Sequence, residues 1–164
     1  MSLEIRPVRE EDVEVVCDLI HALARYERLE SHCKSTPERL REELFGPHAV
    51  IGCVLAWERN ESTCAERPVG FALYLYNFTT FLTRRGLYLE DLFVVEDARR
   101  RGYGRALIRH LARKALEEGC GRFDWSVLDW NQPAIDFYER LGAEVMPDWR
   151  ICRLSGDALR KAAQ

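Results

Sequence analysis

Long apolar runs are missing from this chain of 164 residues. None approaches the roughly 20 residues needed to cross a bilayer, so no membrane association is expected. A basic excess is missing as well. The formal net charge is −3, whereas strong binding to a phosphate backbone rests on a large positive surplus, so no nucleic acid partner is expected. The six cysteines, Cys17, Cys33, Cys53, Cys64, Cys120 and Cys152, lack tight spacing. The opening Met1-Ser2-Leu3-Glu4-Ile5-Arg6 lacks an apolar signal region, and the two absences together predict reduced thiols and a cytoplasmic location. Zinc spacing is absent too: His21 follows Cys17 by one helical turn, but no second Cys/His pair completes a site, and no metal is expected. No cysteine has an identifiable His and acid partner set for nucleophilic catalysis. There is no Gly-x-Gly-x-x-Gly after the first strand, no Gly-Lys-Ser/Thr, no internal repeat and no low-complexity segment. The length and apolar content suit one domain over residues 1–164 whose core needs no metal or disulfide.

The elements read as an alternation of strands and helices. Leu3–Val8 reads as a strand, and Glu10–Glu27 as an amphipathic helix with Val13, Val16, Leu19, Ile20, Leu23 and Ala24 at helical spacing. Ser35-Thr36-Pro37-Glu38 supplies a cap and an early proline for a second helix through Leu44. Strands follow over Val50–Trp57 and Val69–Asn77, with polar Glu58–Pro68 as the loop between them. Leu87–Val95 is a central strand and Tyr103–Glu118 a helix that buries Ala106, Leu107, Ile108, Leu111, Ala115 and Leu116. Phe123–Leu128 is a strand, Asn131-Gln132-Pro133 opens a helix that stops at Gly142, and a last strand pair is expected near Ala143–Met146 and Trp149–Leu154.

The most informative stretch is the central strand and the turn after it. Glu90 and Asp91 interrupt an otherwise apolar run, and ionised carboxylates inside a sheet are costly unless they have a task or a partner. The turn Arg99-Arg100-Arg101-Gly102-Tyr103-Gly104-Arg105 suits an anion. Its glycines let backbone N–H groups approach closely, and the helix that starts there offers unpaired donors at the positive end of its dipole.

Arg99, Gly102 and Gly104 resemble the coenzyme A motif of the GNAT acetyltransferase superfamily, Arg/Gln-xx-Gly-x-Gly/Ala between a central strand and a helix. Asn131 to Ala143, with Ala134, Phe137, Tyr138 and Gly142, resembles that superfamily's later Asn-xx-Ala-xx-Phe-Tyr signature. The resemblance sharpens to the spermidine/spermine and thialysine acetyltransferase branch. It rests there on Ile5-Arg6-Pro7, Leu23-Ala24-Arg25-Tyr26-Glu27, Gly70-Phe71-Ala72, Leu87 to Val94, and Trp130-Asn131. It implies an α/β (α+β) fold with a mixed, mostly antiparallel central sheet of about six to seven strands, flanked by about four helices. The central strands splay apart for the pantetheine arm. Acetyl-CoA is the implied co-substrate, held by Leu92, Phe93, Val94, Arg99 to Arg105, Asn131 and Tyr138. The implied partner molecules are a small amine acceptor, near Tyr26, Glu27, Glu90 and Asp91, and a second copy of the chain in a homodimer. One departure matters. Thr80 stands where the polyamine enzymes carry an acid, which leans the acceptor toward a lysine-like diamino acid such as thialysine.

Amine acetylation needs a neutral amine, and at pH 7 only about one alkylammonium in 2,500 is deprotonated, so a carboxylate that holds the cation and drains its proton has a direct role. Glu90 is the candidate. By strand alternation Asp91 points to the opposite face and is expected to pair structurally or to line a dimer-related acceptor pocket. Tyr138, seven residues after Asn131 and so on the same helix face, is a phenol suited to protonate the departing thiolate. A catalytically silent acyl-CoA-binding module would keep the glycine turn but has no need of Tyr138 and Glu90 together. A protein acetyltransferase is disfavoured because the acidic positions suit a compact cation better than a peptide.

Overall fold

Alternating apolar residues in the first three-quarters of the chain pair into a five-stranded sheet in the order β1-β2-β3-β4-β5. The computed structural model describes all 164 residues. Strand β1 spans Ser2–Pro7, β2 Ile51–Arg59, β3 Glu66–Thr79, β4 Arg84–Val94 and β5 Phe123–Trp125. The first four are antiparallel neighbours, and β5 lies parallel to β4. Helices α1 (Val13–Tyr26), α2 (Pro37–Phe45) and α3 (Tyr103–Glu117) belong to the same unit, residues 1–126. Residues 127–164 form a second unit with α4 (Gln132–Glu139) and α5 (Gly156–Ala162).

Both faces of the sheet are covered because alternate strand residues are apolar on each. Val13, Val16, Cys17, Leu19 and Leu23 of α1 and Leu40 and Leu44 of α2 pack with Cys53, Leu55, Phe71, Leu73 and Phe93. Val54, Ala56, Ala72, Leu87 and Leu89 are buried between these positions, as are Leu107, Ile108, Leu111 and Ala115 of α3. Leu116, expected on that helix face, is exposed, since it lies 100° on from Ala115 around the helix axis. Helix α2 begins as its sequence requires: Thr36 caps it by accepting from the Arg39 N–H at 3.4 Å, and Pro37 occupies the first turn.

The α/β class with a mixed sheet holds, but with five strands and five α-helices. The last strand pair does not form. A strand exists only through a partner for its backbone groups. Within the second unit residues 143–155 have no ladder, Pro147 lacks a donor, and Val145, Met146, Trp149, Ile151 and Leu154 are exposed. Ser155 then precedes α5, whose Asp157 and Arg160 form an ion pair. The loop expected over residues 58–68 is shorter, because Trp57, Glu58 and Arg59 still pair with Pro68, Arg67 and Glu66.

Two features of β4 matter for function. Strand β5 pairs with it only over Leu87–Leu89, so from Glu90 to Val94 that edge carries no strand. The strand expected over residues 123–128 stops at Trp125, which leaves that edge open. The other feature is a break in register with β3, at Glu90.

Candidate functional site

Strand β4 carries one residue too many. Asp91 lies opposite Leu73 and Leu89 opposite Tyr74, so Glu90 is the extra residue of a bulge. Strict alternation therefore fails here: the expectation that Asp91 simply takes the strand face opposite Glu90 is corrected, because the bulge sets Asp91 opposite Leu73 and leaves Glu90 as the extra residue. Asp91 shares its face with Phe93, whose neighbours Phe71 and Leu73 meet α1 and α2. Glu27 follows α1 directly. Burial pushes the Asp91 carboxyl up to about 6, and the charges of Glu90 and Glu27 push the same way. Burial also raises Glu27. Glu90 is exposed, and none of the three acids forms an ion pair. Three carboxylates close enough for two to raise the third, with no ion-pair partner in the chain, leave local negative charge uncompensated.

Beside them, the Tyr26 and Phe93 rings sit 6.5 Å apart at 54°. The Arg99 guanidinium lies 4.4 Å from the Tyr26 ring centre and 5.5 Å from that of Phe93. Its Nε donates to the Val94 carbonyl at 2.9 Å. Arg99 thus braces the end of β4 against the end of α1 through stacking and a charge-assisted bond.

The turn before α3 is built on left-handed backbone at Arg100 (φ 63°) and Gly102 (φ 85°). Glycine takes that conformation without cost, and space is not the issue, since a Cβ at Gly102 would meet nothing within 4 Å. The side chains around it divide. Arg101 donates to Glu58 at 2.6 Å and to the Asp97 carbonyl at 2.9 Å, and the Tyr103 hydroxyl donates to Glu58 at 2.7 Å. Arg67 donates to Glu58 at 3.0 Å and to Asp97 at 2.7 Å. Arg101 and Tyr103 are therefore committed to the protein by their side chains, and the turn offers an anion its backbone N–H groups at the start of α3. Arg100, Gly104 and Arg105 stand on the same turn, with Arg100 and Arg105 exposed. Leu92 and Val94 lie half-buried on the unpaired edge of β4.

Glu58, 2% exposed, holds this turn and was absent from the sequence reading, which placed it in a loop. Its signal is an acid directly after an apolar strand, with Arg67 at the mirrored position across the hairpin. The Tyr103 hydroxyl, Arg67 and Arg101 hold its carboxyl below the usual carboxylate range. A lowered folded-state pKa contributes stability above the ordinary pKa, and the contribution fades as pH falls through the lowered one. Glu58→Gln is expected to cost about 1–2 kcal/mol at neutral pH, because it leaves Arg67 and Arg101 partly exposed and able to rehydrate. Denaturant titrations of both proteins check this, and the gap should narrow in acid.

In the second unit Asn131 is buried and sits just ahead of α4 as its N-cap, not inside the helix. Its carbonyl accepts from the N–H groups of Ala134 and Ile135 at 3.0 and 3.1 Å. Tyr138 lies one residue before the end of α4, its ring 5.1 Å from that of Phe137. Thr80 lies in the turn between β3 and β4, where its carbonyl accepts from the Thr83 N–H at 3.2 Å. The residues form no group of three or more His, Cys, Asp or Glu suited to a metal ion. No helix is long and apolar enough to cross a membrane.

Residues 17–143 match the model of the acetyltransferase (GNAT) family. The chain belongs to this family. Full-length similarity points the same way: thialysine N-epsilon-acetyltransferase of Sus scrofa is 35% identical over 170 residues, covering 99% of this chain and 98% of that protein. L-ornithine N5-acetyltransferase of Arabidopsis thaliana is 48% identical over 91 residues, which are 56% of this chain and 40% of the relative. An integron cassette protein from the mobile metagenome of V. cholerae has the same fold, with a TM-score of 0.81 and 28% identity, covering 100% of this chain and 99% of that one. The chain is thus an N-acetyltransferase of the GNAT family, whose members use acetyl-CoA as co-substrate.

Proposed function

We propose that this acetyltransferase moves the acetyl group of acetyl-CoA to a primary amine of a small cationic acceptor, with thialysine or a related diamino acid ahead of a polyamine. The observation that carries this reading is the cluster of Glu27, Glu90 and Asp91 at the β4 bulge, acidic and without an internal cation. An acceptor ammonium supplies the missing charge. Glu90, exposed on the bulge, takes the proton from the bound amine directly or through water, and Tyr26 and Glu27 hold the cation. The full-length similarity to thialysine acetyltransferases and the neutral Thr80 support the single distal amine.

For acetyl-CoA the supporting features are the N–H groups of the Gly102 turn for the pyrophosphate and the unpaired edge at Leu92, Phe93 and Val94 for the pantetheine amides. Arg100 and Arg105 add positive charge, Arg99, Arg101 and Tyr103 hold the turn in shape, and Gly104 lets the backbone come close. Asn131 and Tyr138 complete the reading, Tyr138 as proton donor to the thiolate. The family match runs through both units, which supports residues 1–164 working as one domain. A homodimer in the cytoplasm is the proposed working form.

Gly102→Val tests the turn. A β-branched residue at positive φ costs about 1–2 kcal/mol of backbone strain and re-aims the N–H groups. Acetyl-CoA should raise the melting temperature of the wild type, and the variant should need roughly tenfold more of it for the same rise. An unchanged response would remove the phosphate role of this turn.

The acceptor is tested by following thiol release from acetyl-CoA across thialysine, ornithine, lysine, spermidine and aminoglycosides. Thialysine or another diamino acid should give the highest kcat/KM, and Thr80→Asp should move the ratio toward spermidine. A wild type that prefers spermidine by a wide margin defeats the diamino-acid reading, and a wild type inactive on every amine defeats the whole.

A further inference from the structure

The segment between α1 and α2 brings a thiol to a base that the sequence did not pair with it. Cys33, half-buried, lies with its Sγ 3.5 Å from Nδ1 of His21 on α1. On the other side of the ring, Nε2 lies 3.1 Å from the carbonyl oxygen of Ser35. A carbonyl only accepts, so Nε2 carries the hydrogen and donates to it. The bare nitrogen of the neutral ring is then Nδ1, which accepts from the Cys33 thiol. The tautomer is set by the backbone, and it is the one that can take the thiol proton. A nucleophile, a base within reach and a third group that orients the base are the parts of an activated thiol. Here a carbonyl stands where an acid was sought.

The second cysteine nearby behaves differently. Cys17, one turn before His21 on α1, is 4% exposed, and burial raises its thiol. Its Sγ lies 3.8 Å from the Ser35 hydroxyl, not against the imidazole. Cys53 is buried in the core and pushed up further. Cys64 and Cys152 are more exposed than Cys33, but neither has an imidazole within hydrogen-bond reach.

We infer that Cys33 is a modification site, a thiol activated by His21 that exchanges with low-molecular-weight disulfides. Nδ1 of His21 accepts the Cys33 proton, and the sulfur attacks one sulfur of the reagent RS–SR. The S–S bond of the reagent breaks as the Cys33–SR bond forms, and the departing RS⁻ leaves with the proton from Nδ1. The sum is Cys33–SH + RSSR → Cys33–S–SR + RSH, so the reagent disulfide is the oxidant and no other is needed. The adduct sits on the segment that starts at Glu27, yet the chemistry is independent of acetyl transfer.

The experiment uses a limiting amount of dithiodipyridine at neutral pH, with the six thiols mapped by peptide mass spectrometry over time. If exposure alone ruled, Cys64 and Cys152 would react first. The inference expects Cys33 ahead of both by roughly tenfold or more. His21→Gln keeps an N–H for the Ser35 carbonyl and removes the base, so Cys33 should drop behind Cys64 and Cys152. Wild-type protein in which Cys64 or Cys152 reacts as fast as Cys33 overturns the inference whatever the variant does. A His21→Gln variant with wild-type melting temperature and an undiminished Cys33 rate overturns it too.

Discussion

Tyr138→Phe is expected to lower turnover by roughly 10²-fold or more while acetyl-CoA affinity hardly changes, the usual worth of a lost general acid. The substitution keeps the ring and its contact with Phe137, 5.1 Å away, and deletes only the hydroxyl. A thermal melt run beside the kinetics separates loss of the proton donor from any loss of stability. The phenol is apt because its ordinary pKa near 10 keeps it protonated at neutral pH, whereas a thiolate leaving group needs a proton as the thioester opens. Raising the buffer concentration of a small acid should restore part of the rate in the variant and none in the wild type. Near-normal turnover in Tyr138→Phe would mean that water supplies the proton.

Asp91→Asn should separate stability from function. The Asp91 carboxyl is pushed up to about 6 by burial and by Glu90 and Glu27. A carboxyl whose folded pKa lies above its unfolded value binds more protons in the folded state. Its contribution therefore favours the fold at low pH, and stability falls as pH rises from about 4 to about 6. At pH 7 the free protein holds an ionised acid beside two others. Asp91→Asn relieves this, and without acceptor it should be more stable than the wild type, by an amount on the order of 1–2 kcal/mol. With the acceptor the order reverses. The variant lacks a charge that the ammonium answers, and kcat/KM for the amine should fall roughly 10²-fold. In the wild type the same titration should weaken acceptor binding as pH drops below 6, an inflection that Asp91→Asn abolishes. An acceptor KM unchanged in the variant would take Asp91 out of the acceptor site. The proposed acceptor site is thus a charge cluster that the free protein tolerates at a cost.

The sequence by itself determined the features whose causes lie within a few residues. The cap and proline at Thr36 and Pro37 start α2 where they stand, and the glycine at position 102 marks the left-handed turn that opens α3. The apolar spacing of Val13, Val16, Leu19 and Leu23 selects the buried face of α1. The motifs at Arg99 to Gly104 and Asn131 to Gly142 identify the family that residues 17–143 match. What alternation could not supply was the register of β4 on β3, where one extra residue at Glu90 changes which face Asp91 takes. Register is chosen by the packing of two strands together, and a single inserted residue overrides a period of two. Glu58 likewise reads as a loop acid until Arg67, Arg101 and Tyr103, up to 45 residues away, converge on it. The two last strands read well as patterns and did not form, because a strand needs a partner that a pattern cannot name. Cys33 and His21 meet only because α1 and the segment after it fold back on each other. Periodicity and caps act through neighbouring residues, whereas charge clusters, bulges and activated thiols arise where distant segments are pressed together, and only the tertiary structure decides which ones meet.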